Sequence, residues 1–405
     1  MRIPELLAPA GDLEKLKFAY LYGADAAYIG GGEYSLRLNS GFDLAGIKEA
    51  VELAHSLGRK LYVAVNSFLR NDAVEKLSAY LTELAKIGPD ALILSDPGVF
   101  ALAREYAPAI ARHISTQANI TNWCSAQFWY DMGAERVILS RELSLAEGAE
   151  VSAKSDIETE IFVHGAMCIS FSGRCLLSSY MTGRSANLGN CSHPCRYNYV
   201  LEEEKRPGEY FPIEEDSHGT YIMNSRDLCL LDHIPEIISG GFASLKIEGR
   251  NKSAYYVANC VRIYRAALDA YAADPQHFMV DPVWHEELAK VSHRCYTEAF
   301  AKGAAGAESM RYDDGGYVRG YDFTAIVHGY ENGYLQLEQR NHIAVGDELE
   351  IILPDASHVT VPVAKIYDED GLPVAAANHP HQRIRIPFAG KIDGEFPLIA
   401  RRQAR

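Results

Sequence analysis

Short apolar, β-favouring runs alternate with segments of helical period over the first two thirds of the chain, and the number of runs selects the architecture. They fall at Glu5–Ala8, Ala26–Gly30, Lys60–Val65, Ala91–Leu94, His113–Thr116, Arg136–Leu139, Glu160–Val163 and, after a long interruption, Ser244–Ile247. Amphipathic stretches at Leu13–Leu21, Leu44–Leu57, Val74–Ile87 and Leu145–Ala153 lie between them, each long enough to cross from one parallel strand to the next. Eight such units predict an α/β fold, a closed (β/α)8 TIM-like barrel rather than an open doubly wound sheet. The turn Gly30-Gly31-Gly32 suits that fold and lacks the G-x-G-x-x-G spacing of a dinucleotide site.

The interruption between strands 7 and 8, about residues 165–243, far exceeds a usual βα connection, so it is expected to carry function. A helix over Lys252–Tyr271 closes the barrel domain, 1–275, and 276–305 reads as a helical linker. In 306–405 the texture changes to short strands at Thr324–His328, Tyr334–Glu338, Glu348–Ile352, Val359–Ile366 and Arg383–Pro387, with turns such as Asn332-Gly333 between them. That pattern predicts a small C-terminal antiparallel β-barrel.

Composition narrows the class. The 405 residues are 48% apolar, enough for a large core, and 39 Lys+Arg against 54 Asp+Glu give a net charge of −15. This balance excludes a surface that binds polyanions everywhere, not one focused basic site. Met1-Arg2-Ile3-Pro4-Glu5 shows no signal-peptide pattern and no window reaches a membrane span, so a cytoplasmic protein with no membrane partner is expected.

Four of the eight cysteines, Cys168, Cys175, Cys191 and Cys195, fall within 28 residues of the insertion as C-x6-C-x15-C-x3-C. Cys124, Cys229, Cys260 and Cys295 are scattered and read as buried small hydrophobes. Four clustered thiols suit structural zinc or an iron–sulfur cluster, or simply share a long loop. Only the second pair has a zinc-knuckle spacing, and the irregular first pair favours a cluster. A radical-SAM triplet is excluded because Asn198 stands where its third cysteine would be.

Active sites of such barrels lie at the C-terminal ends of the strands. Polar residues at strand ends are Asn66, Asp96, Gln117, Arg141, His164, Lys246, Glu248 and Arg250. Asp96, just before Pro97, reads as a turn or helix cap. Lys246, Glu248 and Arg250 alternate, so they share one face toward the mouth. They are satisfied either by a Glu248–Lys246 pair or by a di-acid clamped between Arg141 and Arg250. Residues 164–200 hold Arg174, Arg184 and Arg196 without an acid, while 244–265 hold Lys246, Arg250, Lys252, Arg262 and Arg265 against Glu248 alone. Tyr180, Tyr197 and Tyr199 accompany the basic loop and offer rings to an unstacked base or to the barrel surface. His285-Glu286-Glu287-Leu288-Ala289 starts like a zincin helix but ends in alanine, so it lacks the second histidine.

Glu160-Ile161-Phe162-Val163-His164-Gly165-Ala166-Met167-Cys168, continuing through Ser172-Gly173-Arg174-Cys175-Leu176-Leu177-Ser178, resembles the signature of the collagenase-like peptidase family U32. Glu5-Leu6-Leu7-Ala8-Pro9-Ala10-Gly11, Ser115-Thr116-Gln117-Ala118-Asn119, Gly189-Asn190-Cys191, Pro194-Cys195-Arg196 and Ser244-Leu245-Lys246-Ile247-Glu248-Gly249-Arg250 follow in family order. The resemblance implies oxygen-independent hydroxylation with a 4Fe-4S cluster on Cys168, Cys175, Cys191 and Cys195. One branch of the family serves ubiquinone synthesis. The branch this chain is most similar to makes 5-hydroxyuridine at the tRNA wobble position with prephenate as co-substrate. The implied partners are a tRNA anticodon loop, prephenate and a homologous family subunit. Arg141, Gln117, His164, Lys246, Glu248 and Arg250 are catalytic candidates by position alone. The rival readings are a collagenase-like peptidase, the family's historical label, and a non-enzymatic Fe-S binding or assembly factor.

Overall fold

A computed structural model describes residues 2–36, 41–168, 175, 177–184, 186, 189–194, 201–202, 210–211, 215–216, 219–220, 224–303, 310–311, 317–392 and 394–404. Eight parallel strands form a closed ring: β1 (Glu5–Pro9), β2 (Ala26–Gly31), β3 (Lys60–Val65), β4 (Ala91–Leu94), β5 (Ala111–Ile114), β6 (Arg136–Ile138), β7 (Glu158–Ala166) and β8 (Ser244–Ile247). Each pairs with the next, and β8 closes the ring by pairing with both β7 and β1. The expected TIM-like barrel is therefore present, and its strands are largely buried on both faces because helices cover the outside.

The crossover helices are α1 (Leu13–Leu21), α2 (Leu44–Ser56), α3 (Asn71–Ile87), α4 (Pro97–Tyr106), α5 (Trp123–Asp131) and α6 (Leu145–Lys154). Their starts are set by short polar side chains that accept orphan backbone N–H groups. Asp96 does this for α4, accepting from Gly98 and Val99 at 2.7 and 3.1 Å, so its capping reading holds. Ser144 and Glu147 form a reciprocal capping box on α6.

Between β7 and β8 the described residues include α7 (Leu177–Thr182), two short hairpins and α8 (Ile234–Ser239). A strand at Asp227–Cys229 runs back antiparallel to the end of β7, and Tyr296–Thr297 pairs beside it. The segment 276–305 thus carries α10 (Pro282–Ala289), which packs on α9 (Ala254–Ala273), and a strand that joins the barrel sheet. Cys229 and Cys260 are buried as expected, and burial pushes the Cys229 thiol up to about 11. Cys124 is exposed instead, because α5 buries Ala126 and Trp129 and turns position 124 away from them.

The C-terminal domain is an antiparallel sheet of eight strands. Its longer strands are β9 (Tyr321–Glu331), β10 (Tyr334–Gln339), β11 (Glu348–Ile352), β12 (His358–Pro362), β13 (Arg383–Pro387) and β14 (Leu398–Gln403), in the order β12-β11-β14-β9-β10-β13. It is fastened to the barrel by polar bonds out of water. Tyr22 on the barrel donates to the Ile352 carbonyl and accepts from the Ile399 amide. Arg401 bridges Glu287 and Glu350 at 2.7 and 2.6 Å, and Arg262 pairs with the same Glu287. Among the described residues, no helix is long and apolar enough to cross a membrane.

Candidate functional site

A cavity at the C-terminal end of the strands gathers five of the six candidates: Gln117, Arg141, Lys246, Glu248 and Arg250. Tyr28, Asn66, Ser115 and Phe162 line it as well. The two guanidinium groups are held by different devices. Arg141, in the loop after β6, donates to the Ala166 carbonyl at 3.0 Å and lies 3.8 Å from the centre of the Phe162 ring. Arg250, after β8, is buried; it donates to Ser35 Oγ at 3.0 Å and to the Leu36 carbonyl. The Leu36 amide in turn donates to Asn66 Oδ1, and Asn66 Nδ2 to Ser115 Oγ at 3.2 Å, tying the loops after β2, β3 and β5 into one rim. Bonds of this kind hold both guanidinium groups in place, and a guanidinium fork matches a carboxylate in charge and geometry.

Lys246 stands on the floor of this cavity. Its ammonium lies 2.9 Å from Glu160 Oε1 and 4.3 Å from the centre of the Tyr28 ring. Its carboxylate partner is thus Glu160, one strand over, and not Glu248. Glu160 is fully buried and shared with Arg136, which also reaches Glu5 at 2.7 Å. Burial alone would raise the Glu160 carboxyl, but the Lys246 and Arg136 charges outweigh it and hold the group below the usual carboxylate range. This ionic layer inside the barrel was not anticipated, because its acids and Arg136 sit near strand starts, away from the strand ends where candidate residues were sought.

His164 does not face the cavity. A bulge between Lys246 and Ile247 shifts the pairing with β7, so Lys246 lies opposite Phe162 while Ile247 lies opposite His164. The shift turns His164 to the outside of the barrel, among Tyr256, Tyr264 and Tyr296. Burial there lowers its pKa to about 3 against the opposing pull of Asp227, so the ring is neutral. Period-2 alternation cannot reveal an inserted residue.

Three of the four clustered cysteines are described: Cys168 is exposed, Cys175 buried and Cys191 half-buried. The Leu177 amide donates to Cys175 Sγ at 3.3 Å and the His193 amide to Cys191 Sγ at 3.4 Å. Backbone donors two residues beyond a sulfur stabilise thiolate charge, which suits these groups as ligands of a soft metal centre. Cys195 lies outside the described residues, as do Arg174, Arg196, Tyr197, Tyr199 and the side chain of Tyr180. Cys168 follows the end of β7 by two residues, next to the Ala166 carbonyl that Arg141 holds.

The charge of residues 244–265 is only partly at the mouth. Lys246 and Arg250 line it, but Arg262 and Arg265 lie further along α9, which carries them away at 1.5 Å per residue. Arg262 is spent on Glu287, and Arg265 on Asp25 and Asp269. The zincin-like fragment is committed to structure: His285 pairs with Asp232, and Glu287 is the buried partner of Arg262 and Arg401. Glu287, Glu350 and His358 lie close enough for a cation, yet Arg401 and Lys290 already neutralise both carboxylates.

A family model described as Peptidase family U32 matches residues 11–311, and one described as its C-terminal domain matches 319–400. The chain is 42% identical over 392 residues to tRNA hydroxylation protein P1 of Bacillus subtilis, covering 96% of this chain and 93% of that one. It is 40% identical over 397 residues to tRNA hydroxylation protein P of Escherichia coli, covering 87% of each. A 23S rRNA 5-hydroxycytidine synthase of Escherichia coli is 35% identical over 313 residues, covering 75% of this chain and 46% of the synthase. Barrel and C-terminal domain together, the chain belongs to peptidase family U32.

Proposed function

We propose that this chain hydroxylates the wobble uridine of tRNA to 5-hydroxyuridine without molecular oxygen, with prephenate as co-substrate and a 4Fe-4S cluster. The observation that carries the reading is the meeting of Arg141 and Arg250 in one cavity, with Arg141 bonded to the Ala166 carbonyl two residues before Cys168. Relatives named for tRNA hydroxylation and for a hydroxycytidine synthase support RNA base hydroxylation as the reaction class.

Prephenate carries two carboxylates, and the paired guanidinium groups match them in charge and fork geometry. With Lys246 neutralised by Glu160 beneath it, Arg141 and Arg250 against Glu248 leave the cavity lining positive among the described residues. Gln117, buried at the rim, offers an amide to the same ligand, and Glu248 offers a carboxylate that can take up a proton from a reacting base. Cys168, Cys175, Cys191 and Cys195 would hold the cluster, and the N–H bonds onto two of the sulfurs fit that role. When bound, the cluster supplies one-electron chemistry that side chains lack.

The test is anaerobic purification followed by iron and sulfide analysis and a tRNA assay with and without prephenate. The reading expects both elements in near-equal amounts, their loss when any of the four cysteines becomes serine, and hydroxylation only with prephenate. Protein without iron and sulfide, or peptide cleavage that survives removal of the cluster, would sink it in favour of the rivals.

A further inference from the structure

Two cavities open on the insertion side of the barrel, and Glu248 lines both. The mouth cavity measures about 80 Å³, well under the ~300 Å³ at which ligand pockets usually begin, while its neighbour reaches about 320 Å³. The mouth therefore suits the anionic head of a small molecule and leaves no room for a nucleotide beside it. The neighbouring groove has different chemistry. Tyr317 presents a ring that is 41% exposed, and Asn251 an exposed amide. The Lys252 ammonium lies 4.3 Å from the centre of the Tyr317 ring and 5.1 Å from that of Tyr256. Among the described residues it donates one bond, to the Ser292 carbonyl at 3.0 Å, and an ammonium has three donors.

The wall between the cavities is rigid. The Glu248 amide donates to the His164 carbonyl at 2.8 Å, and Tyr256 donates to the Glu248 carbonyl at 3.1 Å. Gly165 lies so close that a Cβ there would stand 2.5 Å from the same carbonyl.

We propose that this groove is the nucleotide compartment, distinct from the anion compartment at the mouth. One unstacked pyrimidine nucleotide of RNA stacks on Tyr317, its phosphate meets Lys252, and its base edge meets Asn251. Glu248 then stands between the base and the small dianion. The assignment rests on the RNA-hydroxylating reading above and adds which residues take the nucleotide. Aromatic ring, cation and amide are the set that single-stranded nucleic acid requires.

The test measures binding of a fluorescently labelled, unmodified anticodon stem-loop RNA to the full-length protein by anisotropy. Tyr317→Ala should weaken binding roughly 5- to 150-fold, the range of one lost base stack, while Tyr317→Phe stays within about twofold. Lys252→Met should weaken binding and lower its salt dependence by about one phosphate contact. Arg141→Ala should leave RNA affinity within about twofold, because that residue serves the other compartment. Wild-type protein that fails to bind the RNA overturns the RNA reading itself. If wild type binds and Tyr317→Ala binds equally, or Tyr317→Phe loses as much as Tyr317→Ala, the groove assignment alone is overturned. Arg141→Ala losing as much as Tyr317→Ala would overturn the separation into two compartments.

Discussion

Lys246→Met separates a cation that builds the barrel from one that binds substrate. In the folded protein Glu5 and Glu160 are balanced by Arg136 and Lys246, and Lys246, Arg136 and Glu160 are each less than 5% exposed. Methionine keeps most of the lysine stem and removes the charge, leaving Glu160 to an arginine already shared with Glu5 and Glu158. Removing one partner of a buried ion pair costs about 3–5 kcal/mol, because the other charge stays behind in a poorly solvating interior. The wild-type Glu160 carboxyl, held low by its cations, contributes stability above its unfolded value near 4.5 and loses it as pH falls. In the variant the folded carboxyl rises instead, so the penalty is largest near neutral and alkaline pH and shrinks as acid protonates Glu160. Glu160→Gln in the same background removes the stranded charge and should recover about 1–3 kcal/mol of the sum of the two single losses. Urea and thermal midpoints of the full-length single and double variants, compared at about pH 5.5 and about pH 8, read this out. Additive single and double effects, or a Lys246→Met loss below about 1 kcal/mol, would refute the structural role of the pair.

Four further outcomes follow from named contacts. Arg141→Ala should raise the prephenate concentration at half-maximal rate by about 10- to 150-fold, the range for lost hydrogen bonds to a charged group, and a prephenate titration checks it. Glu287→Ala strands the buried Arg262 and leaves Arg401 with Glu350 as its carboxylate partner, and should lower interface stability by about 3–5 kcal/mol in a denaturation experiment. Burial opposes ionisation of Glu287, but Arg401 and Arg262 outweigh it and hold the carboxyl at about 2. Its contribution is therefore complete above the unfolded value near 4.5 and fades as pH falls toward 2; Glu287→Gln should flatten an acid titration of the stability in that window. Gly165→Ala meets both a positive φ of 108° and the Glu248 carbonyl, so it should lower the melting temperature and displace the wall residue, which loss of turnover beyond the loss of folded protein would report.

The barrel strands were legible because a parallel strand is buried on both faces: β3, β4 and β8 run as the apolar stretches read from the sequence. The sixth strand starts at Arg136 as read, while the seventh runs from Glu158 to Ala166, beyond the stretch Glu160–Val163 read from the sequence, because Glu158 enters the sheet through its pair with Arg136 and not through apolarity. β14 was missed for the same reason. Arg401 and Arg402 break its apolar pattern, yet they are paired to Glu287 on α10 and to Glu350, Asp322 and Asp347 of the C-terminal domain. At the site, strand-end position found Gln117, Arg141, Lys246, Glu248 and Arg250, because a barrel brings all strand ends to one rim. His164 escaped that logic through a bulge. Tyr317 could not be read at all, since it follows Lys252 by 65 residues and only folding sets the two together.

The most direct measurement is nucleoside mass spectrometry of tRNA from a strain lacking the gene, complemented either with the wild type or with the Cys168→Ser variant. The account predicts that 5-hydroxyuridine disappears in the deletion, returns with the wild type and stays absent with the variant. A deletion strain that keeps its full 5-hydroxyuridine, or a cysteine variant that restores it completely, would contradict the account.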